Sequence, residues 1–388
     1  LNREIATFTK YIKPTTAESR AKEDLIRIVQ EAVEGYSMGL FKIDVFGSVA
    51  NGYDLSFADL DLRLCLSGVE DRIRAPSRED VIRLKRYLTS MIPVLQNLGF
   101  DTPELVHSRY PLLDTRYPDA AIKVQVVSAN NTTLSKDFIN LQIQEHPDLP
   151  SIYAVIRTML KIRDLSDVFH GGIGSYTLVM MIIASLKLLP GESAGENLIN
   201  FLEFYSTIDT KNHTIGLVPP GIHPKYRTKY DIPPTSNVTT REQRVSPSLP
   251  PPPHNSPQTS PITPPKRISN PKLTPLDKQF LKSKHVLGTL SPELRFMLVL
   301  QDGVDHSNDL GRKAFAWNHI QATFKAGHAA MLKAIDTSGT AGVGASAGAD
   351  GQQRSLLAPL VAGCHERFVA ERTKAEAFGR KVMEREGK

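Results

Sequence analysis

Residues 42–66, KIDVFGSVANGYDLSFADLDLRLCL, alternate apolar and polar side chains at both ends and carry Gly, Ser and Asn between them. The pattern predicts two short strands, 42–46 and 59–66, joined by a turn. In the second strand Asp59 and Asp61 fall on one face, with Leu60, Leu62 and Leu64 on the other. Two carboxylates at i, i+2 on a strand face can share hard divalent cations. At Gly47-Ser48 the small side chains let phosphate oxygens approach the backbone N–H groups. Paired carboxylates beside such a cradle are what phosphoryl or nucleotidyl transfer requires. D-x-D alone is common in ordinary acidic hairpins. The full spacing G-S…N-G…D-x-D is what favours a metal and nucleotide site over that plainer alternative.

The surrounding chain sets the frame. Its 388 residues are enough for two domains and a sizeable core. A net charge of +6 suits an anionic partner such as RNA. Two cysteines, Cys65 and Cys364, are too few for a disulfide framework or a zinc site, which points to a reducing compartment. No apolar run approaches the roughly 20 residues that span a bilayer, so the expectation is a soluble intracellular protein with no membrane partner. The first residue is Leu1, so any targeting signal stays open.

In chain order, Thr15 and Glu18 form a capping box ahead of a helical stripe, Leu25, Ile28, Val29, Ala32 and Val33. A second amphipathic helix is expected over 78–98. A second hairpin follows, 109–115 and 121–127, turning at Tyr117-Pro118-Asp119. Helices continue through 134–190, where Ile152, Val155, Ile156, Met159 and Leu160 make a buried stripe. Arg157 and Lys161, four apart, share a face beside it. The segment from Leu178 to Leu189 is apolar nearly all round and reads as a core helix. Thirteen of the 27 prolines fall between Pro233 and Pro275, in a Ser/Thr-rich stretch with few large apolars. Such a stretch cannot bury enough surface to offset its ordering entropy, so 232–275 reads as a disordered insertion. A helix is expected over 314–335 and a flexible Gly/Ala stretch after it. A charged terminal helix should follow, whose Arg367, Arg372, Lys374, Arg380 and Lys381 either touch RNA or are solvated.

Gly47, Ser48, Asn51, Gly52, Asp59 and Asp61 match the signature of the DNA polymerase β-like nucleotidyltransferases. The chain most resembles their non-canonical poly(A) polymerase and terminal uridylyltransferase branch. Asp167–Tyr176 is similar to that branch's G-G-x-x-S-Y turn into a helix, and Phe296–Arg312 resembles its nucleotide-recognition stretch. The resemblance implies an α+β fold, a nucleotidyltransferase palm with a mixed sheet plus a mainly helical central domain. The palm would cover 36–130. The central domain would be built from 1–35 and 131–335, with 336–353 a linker and 354–388 the charged helix. It also implies roles: Asp59 and Asp61 hold two Mg2+ (or Mn2+), while Gly47, Ser48, Arg157, Lys161 and Ser175 hold the triphosphate. Tyr176 stacks on the base, and Asp302 and Asn308 address its edge. Uridine-preferring members often carry His at the position of Asn308, so the implied substrate is ATP. The implied activity is template-independent addition of AMP to RNA 3′ ends, in nucleus or mitochondrion, with an RNA-binding protein partner for substrate choice.

Two positions depart from the pattern. The family carries a third catalytic aspartate in V-D-I, where this chain has Val124-Gln125-Val126. Just upstream the family has Lys after a proline and two aliphatics, where this chain has Asp114. If the hairpin is tight, with 113 opposite 123, Asp114 lies on the face away from Gln125 and cannot replace the missing carboxylate. Three readings stand: an RNA adenylyltransferase, a terminal uridylyltransferase, or a weakened or inactive homologue serving as an RNA-processing scaffold subunit.

Overall fold

A computed structural model of the chain describes residues 1–67, 78–106, 111–128, 132–225, 295–340, 355–363 and 365–387. The expected insertion at 232–275 lies outside them. The 42–66 stretch forms β1 (Phe41–Val45) and β2 (Leu60–Leu66), paired antiparallel. Between them the Gly-Ser turn winds into a single helical turn, α3 (Gly47–Ala50). The sheet is completed by β3 (Glu104–Val106), β4 (Leu112–Tyr117) and β5 (Ile122–Val127), in the order β1-β2-β5-β4-β3. Only β2 and β5 run parallel.

Period-2 alternation gives this sheet two unlike faces. Leu60, Leu62, Leu64, Leu113, Val124 and Val126 are buried on one. Covering them are α2 (Thr16–Tyr36) through Ala21, Leu25, Val29 and Val33, and α4 (Arg78–Asn97) through Leu88, Met91 and Leu95. The other face presents Asp61, Lys123, Gln125, Asp114 and Arg116. The capping box at the start of α2 forms as expected, Thr15 N donating to Glu18 Oε2 at 2.7 Å and Glu18 N to Thr15 Oγ1 at 3.3 Å.

A second core gathers α1 (Asn2–Ile12), α5 (Thr133–Glu145), α6 (Leu149–Lys161), α7 (Ser175–Leu188), α8 (Ala194–Thr207) and α9 (Trp317–Thr340). A small hairpin, β6 (His213–Leu217) with β7 (Pro220–Pro224), adds Ile215 and Leu217 to it. The apolar α7 lies inside this core, with Leu178 to Ala184 fully buried. After α9 come α10 (Ala358–Val361) and α11 (His365–Glu386). No helix among the described residues is long and apolar enough to cross a membrane.

Four expectations are corrected. Residues 1–35 do not act as one unit: α1 packs in the helical core, whereas the stripe of α2 faces the sheet. An amphipathic helix looks the same whichever core it serves. The helix expected to end at 335 runs on to Thr340, and the rest of the Gly/Ala stretch lies outside the described residues. Arg372 is not simply a solvated charge: its guanidinium is bound to Glu18 and to the Tyr11 and Lys13 carbonyls. The β4–β5 register also differs. Tyr117 pairs with Ile122, leaving four residues in the turn, so Leu113 lies opposite Val126 and Asp114 opposite Gln125. That is a shift of three from the tight-hairpin register. An odd shift exchanges the two faces, so Asp114 and Gln125 share one face.

Candidate active site

The site grows from the end of β1. Gly47 has φ +73°, and a Cβ built on it would stand 2.5 Å from Asp61 Oδ2. Both the left-handed backbone and the approach of the carboxylate therefore require glycine here. Asn51 Nδ2 donates to the Gly47 carbonyl at 2.7 Å, and Phe46 N donates to the Asp61 carbonyl at 3.1 Å. Ser48 is turned inward, 3% exposed. The chain then dips into the helical core through Tyr53 and Leu55 before emerging at Asp59. Buried Lys22 on α2 fixes that excursion, donating to Asp54 Oδ2 at 2.8 Å and to the Leu55 carbonyl at 3.1 Å.

Asp61, Gln125 and Asp114 form a row across three strands, Asp61 beside Gln125 and Gln125 opposite Asp114. Lys123, two residues before Gln125 and on the same face, puts its ammonium 2.9 Å from Asp114 Oδ2. Burial, and then the like charge of Asp59, push the Asp61 carboxyl up to about 7, with Arg157, Lys123 and Lys22 pulling the other way. Burial disfavours the Lys123 ammonium, but the bond to Asp114 and the charge of Asp59 outweigh it and its pKa is raised. Two like charges forced together describe a place for a cation.

Opposite the sheet stand α6 and α7. Arg157 Nη1 donates to the carbonyls of Ser166 at 3.2 Å and Ile173 at 2.9 Å, anchoring the Gly-Gly turn. A Cβ at Gly172 would meet the Leu165 carbonyl oxygen at 2.5 Å, so that turn closes only on glycine. Ser175 opens α7, and α7 touches α3 beneath the acidic pair. Lys161 is exposed and lines a cavity of about 230 Å³ with Asp59, Arg116, Lys123, Arg367 and Glu371. Arg116 and Lys123 were missed in the sequence, because only the observed register shows them on the carboxylate face.

The residues expected at the base also converge. Tyr176 Oη donates to Asp302 Oδ1 at 2.8 Å and Asn308 Nδ2 donates to Asp302 Oδ2 at 3.0 Å. Val304 N also donates to Asp302 Oδ1, at 2.9 Å. Burial, then the charge of Asp302, raise the Tyr176 phenol, so it stays a donor. Asp309 holds the adjoining turn by accepting from Leu300 N and Gly311 N.

Asp59 and Asp61 supply the oxygen ligands that suit a hard divalent cation, completed by phosphate oxygens and water. Among the described residues no three His, Cys, Asp or Glu side chains converge on a metal position, and the third place in the row is a neutral amide.

Residues 1–136 match the family described as "Poly(A) RNA polymerase, mitochondrial-like, central palm domain". The chain is 23% identical over 340 residues to "Poly(A) RNA polymerase cid14" of Schizosaccharomyces pombe, across 84% of this chain and 40% of that protein. It is 24% identical over 216 residues to "Inactive non-canonical poly(A) RNA polymerase protein Trf4-2" of Drosophila melanogaster, across 53% of this chain and 50% of that one. The chain thus spans half or less of the length of these relatives. The polymerase core of TRAMP, an RNA surveillance complex, shares the fold at a TM-score of 0.63 and 18% identity, over 93% of both chains.

Proposed function

We propose, for a chain whose first 136 residues match the central palm domain of poly(A) RNA polymerases and whose relatives include a poly(A) RNA polymerase, template-independent transfer of AMP from ATP to RNA 3′ ends. The observation that carries this reading is the cleft itself. Asp61 presses against Gly47 at the start of α3, the charges of Asp59 and Arg157 act on its carboxyl, and α3 touches the helix that Ser175 opens.

Asp59 and Asp61 would hold the divalent cation, magnesium or manganese. When bound, that cation neutralises triphosphate charge and orients it. Arg157, Lys161 and Ser175 hold the triphosphate, with the backbone at Gly47 and Ser48. Tyr176 offers its ring to the base, with Asp302 and Asn308 at the base edge. In the reaction the RNA 3′ hydroxyl gives up its proton to solvent, its oxygen bonds to the α-phosphorus, the bond to the bridging oxygen breaks and pyrophosphate leaves. The chain's own contribution is in-line positioning in a charge-matched cleft. The basic cavity beside Asp59 supports an RNA 3′ end as the acceptor. Choice among RNAs falls to an RNA-binding protein partner, in nucleus or mitochondrion.

A second reading is favoured by Gln125: a weakened homologue that holds nucleotide within an RNA-processing assembly. Purified protein is incubated with magnesium, a labelled single-stranded RNA and each nucleoside triphosphate separately, with Asp59→Ala/Asp61→Ala as control. Extension by ATP that disappears in the control supports the transferase, and extension by UTP instead makes it a uridylyltransferase. No extension with nucleotide still bound selects the second reading.

A further inference from the structure

Residues 295–302 lead the chain to Asp302 from the end of the 226–294 stretch, which lies outside the described residues. Three successive carbonyls open this segment, and each accepts from a residue that precedes that stretch. Lys225 Nζ donates to the Arg295 carbonyl at 2.9 Å and to the Met297 carbonyl at 3.2 Å. Thr210 Oγ1 donates to the Phe296 carbonyl between them at 2.7 Å. The Thr210 carbonyl is a third acceptor for the Lys225 ammonium, at 3.4 Å. An ammonium has three donors and no acceptor, so backbone oxygens take up all that this lysine offers.

The same lysine closes the open end of the β6–β7 hairpin, its backbone N donating to the Asn212 carbonyl at 2.6 Å. Further along, Ile215 N donates to the Val299 carbonyl and Gln301 N to the Ile215 carbonyl, both at 2.9 Å. Gln301 Oε1 accepts from Leu217 N at 2.9 Å and Val218 N at 3.1 Å. The segment is thus pinned to one hairpin at two places, and Asp302 follows directly on the second.

Burial pushes the Lys225 ammonium down to about 8, with Asp309 favouring the charge and Arg295 opposing it. Asp309 is the carboxylate that accepts from Leu300 N and Gly311 N. The lysine's charge therefore acts on the turn that carries Asp302 and Asn308, as well as on the root of the segment. Burying an ammonium is costly unless its hydrogen bonds are met. Here they are met by main chain, so the charge fixes backbone.

We propose that Lys225 is a positioning residue for the base end of the cleft. By pinning 295–297 to the β6–β7 hairpin it sets where Asp302 meets Tyr176 and Asn308, and so the affinity for a nucleotide's base. It acts through Asp302, not by contact with nucleotide. This rests on the reading of Tyr176, Asp302 and Asn308 as the base end of a nucleotide cleft.

Calorimetric titration of the full chain compares two probes. Magnesium α,β-methylene-ATP has a base, and magnesium tripolyphosphate has none. Lys225→Met should weaken the first about tenfold and leave the second unchanged. In the wild type the ratio of the two affinities should fall as pH rises through about 8, where the ammonium is lost. In Lys225→Met the ratio should stay flat. Taking a ratio cancels the titration of Asp61, which both probes share. Unchanged ATP affinity in Lys225→Met, equal loss of both probes in the folded variant, or a flat wild-type ratio each overturns the proposal and leaves the nucleotide cleft in place. A wild type that binds neither probe overturns the cleft reading itself. The wild-type pH profile decides the matter even if Lys225→Met does not fold.

Discussion

At the start of β2, Asp59 just before the strand and Asp61 within it stand two residues apart, with Gly47 pressed against the second carboxylate. On β4 and β5, part of the same polar face, Asp114 is closed off by Lys123 and Gln125 lies between. The first region gathers like charges that Arg157, Lys123 and Lys22 offset only in part, since the Asp61 carboxyl stays raised. The second balances its charge internally. Charge count alone does not distinguish a ligand site from a structural pair, since both regions contain aspartates. What distinguishes them is whether a cationic side chain is already in contact.

The largest expected effect separates the two regions outright. Asp59→Ala/Asp61→Ala should lower transfer by roughly 10²–10⁴-fold and abolish cation-dependent nucleotide binding, measured by single-turnover extension and nucleotide titration. Lys123→Gln/Asp114→Asn should leave cation-dependent binding in place. Equal loss in both would break the comparison.

The next concerns pH. The Asp61 carboxyl is raised from 3.8 to about 7, so the native state holds a proton that the unfolded chain releases. Stability of the cation-free protein is then fully supported below the ordinary carboxylate range and falls as pH rises through about 7, by at most about 4 kcal/mol. Saturating magnesium should flatten this fall, because the cation takes the place of the proton. Thermal melts between about pH 4 and about pH 8 with and without magnesium check it. A metal-free stability that rises across this range contradicts the assignment.

Gly47→Ala sharpens the contrast at one backbone position. It combines a left-handed backbone with collision against Asp61, and should cost about 1–3 kcal/mol in stability as well as nucleotide affinity. Gly52→Ala shares the positive φ, +71°, but meets nothing within 4 Å. It should show the stability cost without the affinity loss. The smallest effect lies outside the sheet: Asn308→His should move preference from ATP towards UTP by about tenfold, read as a ratio of extension rates.

The acidic pair and its glycine turn were legible in the sequence because a period of two fixes which residues share a face. The helix start at Ser175 was legible because glycines cluster where backbone approaches backbone. The register of β4 against β5 was not, since turn length is set by Pro118–Ala121 and by packing, and one odd slip moved Asp114 across the sheet. Lys123 was hidden for the same reason: its role depends on which residue faces it. Arg372 looked like any charge on an exposed helix until Glu18 and two carbonyls of the opening segment were found around it.

The helix α11 carries a consequence for how the protein is made. Its Ala375, Phe378 and Val382 belong to the core beneath the sheet, Phe378 packs its ring 5.3 Å from that of Tyr117, and Glu371 holds Arg116 at 3.0 Å. A ribosome delivers the five strands long before it delivers these residues. Until then the underside of the sheet near Tyr117 lacks part of its cover, so the half of the molecule built on the sheet matures late. Cutting the chain at the end of the sheet would yield a fragment with an open hydrophobic floor.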